Sequence, residues 1–84
     1  MRGWRKQAPK TLQQRRRLLK KCGREAFLKP DTLAFPIMAA RTRTCSVSCK
    51  GLLAAKARAG QFGHRRLEAK AQRLGERHGC GWAR

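Results

Sequence analysis

Apolar positions follow a different rule in each third of this chain. Over 12–22, Leu12, Leu19 and Cys22 share one helical face with Leu18 beside them, and Arg15, Arg16, Arg17, Lys20 and Lys21 cover the remainder. Thr11 precedes this run as an N-cap, Gln14 three residues later completes a capping box, and Gly23 supplies a stop. These signals predict a helix over about 12–22. The next stretch, 24–38, loses that period. Pro30 and Pro36 forbid a regular helix, because each lacks an amide N–H and crowds the preceding turn. Leu33, Phe35 and Ile37 alternate as a short extended piece would, which Pro36 confines to an edge or a loop. The small, hydroxyl-rich run 39–48 predicts a loop.

Helical spacing then returns. Ser48 or Ser46 caps a helix predicted over about 49–59, with Leu52, Ala55 and Ala59 on one face and Gly60 as its stop. Phe62 falls in the turn that follows. The third helix, about 64–78 and ended by Gly79, has the clearest period in the chain: His64, Leu67, Ala71, Leu74 and His78 recur at steps of three and four. A second row on it, Arg66, Lys70, Arg73 and Arg77, lies about 110° around the axis by the 3.6-residue turn. The predicted fold is mainly α: three short helices, with a Pro-containing irregular or extended segment laid across them. Residues 1–10 read as a basic N-terminal arm, 11–79 as the helical domain, and 80–84 as a flexible tail. The few large apolar residues suffice for one small core and not for two.

Charge changes this picture most. The chain of 84 residues carries 22 Lys and Arg against 4 acids, a net charge of +18. Residues 1–21 hold +9, residues 22–49 only +2, and residues 50–84 +7, so two basic lobes flank a nearly neutral middle. Self-repulsion at this density opposes folding and calls for a polyanionic partner. Arg outnumbers Lys by 14 to 8, which favours bidentate contact with phosphate. The expected partner is nucleic acid, DNA or RNA, bound largely without regard to sequence. The expected contacts are Arg15, Arg16, Arg17, Lys20 and Lys21 on the first helix, and Arg65, Arg66, Lys70, Arg73 and Arg77 on the third. The second and third helices also outline a helix-turn-helix, as any helical hairpin does.

An alternative is a structural component of a virion or ribonucleoprotein particle. In that reading Phe27, Phe35, Ile37, Met38, Trp4 and Trp82 dock on protein neighbours. Catalysis is not expected: the acids are isolated, and no carboxylate neighbours His64 or His78 in sequence to form an acid–base pair. No apolar run approaches the roughly 18 residues of a membrane span. No apolar stretch follows the basic N-terminus as in a signal peptide, and that segment is too poor in Ser and in amphipathic character for organelle targeting.

The cysteines leave three readings open. Cys45 and Cys49 have the spacing of one half of a zinc site, which His78 and Cys80 would complete, with Cys22 or His64 as substitutes. Paired disulfides are a second reading, with three connectivities and no ground for choosing among them. Free thiols and no cofactor, with Cys22 packed beside Leu18 and Leu19, are the plainest.

One resemblance joins these segments. The run Cys22-Gly23 to Phe27-Leu28-Lys29-Pro30, then Phe35-Pro36-Ile37, Cys49-Lys50-Gly51 and Arg58 to His64, resembles small basic proteins of large double-stranded DNA viruses and phages. It covers roughly residues 20–75 and implies a virion-packaged or genome-associated protein, without assigning a role to any residue.

Overall fold

The chain, described here from a computed structural model over residues 2–83, is mainly α. Its helices are α1 (Arg2–Gln7), α2 (Leu12–Cys22), α3 (Cys49–Gln61) and α4 (Arg65–Arg77). Strands β1 (Phe27–Lys29) and β2 (Ala34–Pro36) pair antiparallel, with Phe27 opposite Pro36 and Lys29 opposite Ala34. Single 3-10 turns at Arg24–Ala26, Pro30–Thr32 and Gly81–Ala83 complete the set. Among the described residues, no helix is long and apolar enough to cross a membrane.

Local sequence accounts for three of these helices. The Thr11 hydroxyl accepts from the Gln14 amide at 3.1 Å and the Gln14 side chain accepts from the Thr11 amide, so the capping box is closed. Ser48 caps α3 by accepting from Gly51 N–H at 3.1 Å. Gly60 continues α3 instead of ending it, and the chain turns at Gly63, with φ 75°. The α3–α4 hairpin that results is the most extensive helix pairing in the fold.

The Pro-containing segment is a two-stranded ribbon, as Pro36 at its edge allows. Strand alternation sends successive side chains to opposite faces. Phe27 and Met38 therefore join Leu18 and Ala26 on one side, while Leu28 and Ile37 join Leu52, Ala55 and Ala71 on the other. The expectation of a single core is corrected accordingly. There are two small clusters, one on each face of the ribbon, with Val47 packed against both. The ribbon is extended by the Ile37 amide donating to the Ala26 carbonyl and by a bridge between Met38 and Val47.

Each cluster holds one disulfide, Cys22–Cys45 or Cys49–Cys80. The cysteines thus stand paired, as in the second of the three readings. A disulfide sulfur has no thiolate to offer a metal, so Cys45, Cys49 and Cys80 are not placed as zinc ligands, and His78 is exposed. Among the described residues no group of three or more His, Cys, Asp or Glu side chains is gathered. Two clusters this small would hold a chain only weakly, and covalent closure supplies what their burial lacks.

The ends depart from the expected arm and tail. Residues 2–7 form α1, anchored by Trp4, which is 7% exposed. The Trp4 ring rests on Gly51 of α3, and the Gln7 carbonyl accepts from the Ala40 amide at 2.7 Å. At the other end Cys80 is buried. The Trp82 ring lies on Gly75 of α4, and its Nε1–H donates to the Cys49 carbonyl at 2.9 Å. Each hairpin helix thus carries one glycine as a seat for a tryptophan from a chain end. Met1 and Arg84, the outermost residues of the expected arm and tail, lie outside the described residues.

Candidate nucleic-acid interface

None of the described charged side chains is buried, so the charge of this protein lies on its surface. Among the described residues the one ion pair is Arg24–Asp31, at 2.8 Å, with both partners mostly exposed. Such a pair contributes little, and the other described cations have no carboxylate partner.

The cations of α2 divide by their environment. Arg16, Arg17 and Lys20 share a shallow exposed surface with Leu12 and Gln13. Arg15 turns the other way: its Nη1 donates to the Leu33 carbonyl at 2.9 Å and its Nε to the Pro9 carbonyl at 3.4 Å. The Lys21 ammonium donates to the Thr42 carbonyl. Arg15 and Lys21 therefore tie α2 to the segments beside it, and only part of the predicted set on this helix is open.

On α4 the row Arg66, Lys70, Arg73 and Arg77 is exposed, as its angle to the buried Ala71 and Gly75 requires. The packed face is centred on Ala71 and Gly75, with Leu67 and Leu74 half-buried; His64 and His78, expected on that face, lie at its ends in solvent. Gly75 has no side chain to register in a hydrophobic period, so spacing alone puts the face off centre.

Lys70 and Arg77 line a cleft opposite Arg24 of the first 3-10 turn, and the Lys70 ammonium donates to the Leu28 carbonyl at 3.2 Å. At the other end of α4, Arg65 and Arg66 flank a shallow depression with Lys29 and His64. The structure thus gathers Lys70 with Arg77, and Arg65 with Arg66, on α4; Lys29 extends the second patch, whereas the cleft of the first also holds Glu25 and the Arg24 that pairs with Asp31.

Sequence reasoning missed a third basic surface. A groove between α1, β2 and α3 has Arg5, Lys10, Arg15 and Arg58 among its lining residues, with Phe35 and Pro36 in its wall. Arg5 and Lys10 fall in the expected arm, and no signal in the sequence joins them to a surface with Arg58.

The apolar residues of the docking alternative are largely committed within the protein: Trp4, Phe27, Ile37 and Met38 are each 7% exposed or less, and Phe35 and Trp82 are half-buried. The chain matches no family model, no curated protein and no solved structure.

Proposed function

We propose that this protein binds nucleic acid without enzymatic chemistry, through Arg and Lys contacts to phosphate and largely without sequence preference. The observation that carries this reading is the mismatch between charge and counter-charge. A net +18 is spread over a folded surface of 6096 Å², with a single exposed ion pair among the described residues. A polyanion removes that self-repulsion, and each neutralised phosphate releases condensed counterions. Basic patches on several elements, in place of one reading edge, favour backbone contact over base readout.

The disulfides bear on the setting. Paired cysteines persist in oxidising surroundings or in particles that have left a reducing cell. A virion- or genome-associated role, as the resemblance to proteins of large DNA viruses implies, brings such surroundings together with a packaged polyanion.

The test is fluorescence anisotropy of labelled duplex DNA, single-stranded DNA and structured RNA titrated with the oxidised protein at several salt concentrations. The expected result is tight binding that weakens steeply with salt, by about 0.9 log units of affinity per log unit of salt for each duplex phosphate contacted. Salt-insensitive binding, or none, rejects the proposal.

A further inference from the structure

Phe62 stands apart from the other aromatic residues. Trp4 and Phe27 are buried, Phe35 and Trp82 are half-buried, and Phe62 is 60% exposed in the turn between α3 and α4. Left in water, a Phe side chain forgoes the stabilisation that burial would bring. Its surroundings are cationic and planar. The Arg58 guanidinium carbon lies 6.0 Å from the Phe62 ring centroid. The His64 ring, also exposed, meets Phe35 edge-on at 5.8 Å. Arg65 and Arg66 follow at the start of α4, and the nearby acid, Glu68, has its carboxylate against Gly60.

Arg58 also lines the basic groove between α1, β2 and α3, so groove and turn form one continuous surface. A cationic track that ends on exposed rings offers two things at once: charge for a phosphate backbone, and π-faces for bases. A duplex can use the first and not the second, since its bases are stacked inside. An unpaired strand can use both.

Building on the proposed nucleic-acid binding, we infer that the α3–α4 turn is a base-stacking site, and that the preferred ligand of this surface is single-stranded nucleic acid. The backbone runs along the groove past Arg5 and Arg58, and an unpaired base stacks on Phe62.

The experiment compares a labelled thymidine oligonucleotide with a labelled duplex of equal length, using the oxidised wild-type protein, Phe62→Ala, Phe62→Trp and Phe62→Leu. Phe62→Leu keeps an apolar side chain at this position and removes the ring, which separates stacking from loss of apolar surface as such. Phe62→Ala is expected to weaken single-strand binding by about 5- to 150-fold, the range for loss of one stacked base, and to leave duplex binding within about twofold. Phe62→Trp retains single-strand affinity, and Phe62→Leu weakens it as Phe62→Ala does. With 2-aminopurine in the strand, fluorescence quenching on binding is expected for the wild type and is abolished in Phe62→Ala. Equal weakening on strand and duplex, or none on either, overturns the stacking site while leaving phosphate binding intact. Failure of the wild type to bind any nucleic acid overturns both.

Discussion

The indole of Trp4 occupies the space that a side chain at Gly51 would need: a Cβ there would meet the ring at 2.7 Å. Gly75 and Trp82 repeat the relationship, with a Cβ at 2.5 Å from the ring. Overpacking of this kind costs about 1–3 kcal/mol, against a gain of under about 1 kcal/mol for Ala over Gly in a helix. Gly51→Ala and Gly75→Ala should each lower the melting temperature by roughly 5–15 °C in a domain of this size. Gly60→Ala in the same helix α3 meets only the mobile carboxylate of Glu68 and should be neutral or stabilising. Thermal melts followed by circular dichroism separate the three, and a destabilised Gly60→Ala beside a neutral Gly51→Ala would contradict the seat.

The disulfides close loops with sequence separations of 23 and 31 residues. Chain entropy assigns each closure about 3.5 kcal/mol. Replacing Cys22 and Cys45 together by Ser, or Cys49 and Cys80 together, should bring the guanidinium midpoint down sharply, and reductant should do the same to the unaltered protein. Mass mapping of a non-reduced digest should find Cys22 joined to Cys45 and Cys49 to Cys80. A midpoint that reductant leaves unchanged would show that burial alone holds the fold.

Arg15 and Arg16 are adjacent, equally basic and differently employed. Arg15 bonds the carbonyls of Pro9 and Leu33, and Leu33 is a non-glycine residue at φ 55°. That backbone conformation is unfavourable for Leu and needs outside support. Arg15→Lys keeps the charge and loses the forked geometry, so it should lower stability by about 1 kcal/mol. Arg16→Lys should leave stability within about 0.5 kcal/mol. Equal urea midpoints for the two variants would remove Arg15 from the fold's supports.

How much of this is legible in the sequence depends on the range of the interaction. Thr11, Gln14 and Gly23 act within a turn of their own helix, so the limits of α2 were legible as 12–22. The basic row of α4 was legible because angle follows from spacing. The six-residue α1 was not. It is too short to show a period, and it is held by Trp4 meeting Gly51, far away in sequence. Cys80 and Trp82 read as a flexible tail among glycines, because their partners Cys49 and Gly75 lie on other elements. The groove was hidden for the same reason: Arg5 and Arg58 share it only once α1 is seated.

Arg66, Arg73 and Arg77 replaced together by Gln should preserve the fold, since all three are exposed and lie off the packed face, and Lys70, which donates to the Leu28 carbonyl, is left in place. If they touch phosphate on a duplex, the slope of log affinity against log salt should flatten by about 0.9 for each phosphate no longer neutralised. An unchanged slope on a variant that remains folded would place duplex binding on α2 and the groove instead.

The loops closed by Cys22–Cys45 and Cys49–Cys80 follow one another along the chain without interlacing. Either bond can therefore form first without threading or trapping the other. A single cut at Ser46, Val47 or Ser48 would leave two separately closed fragments with no covalent bond between them. The shared ribbon, with Phe27 facing one fragment's cluster and Leu28 the other's, and the Trp4 ring seated on Gly51 would still hold them as a pair.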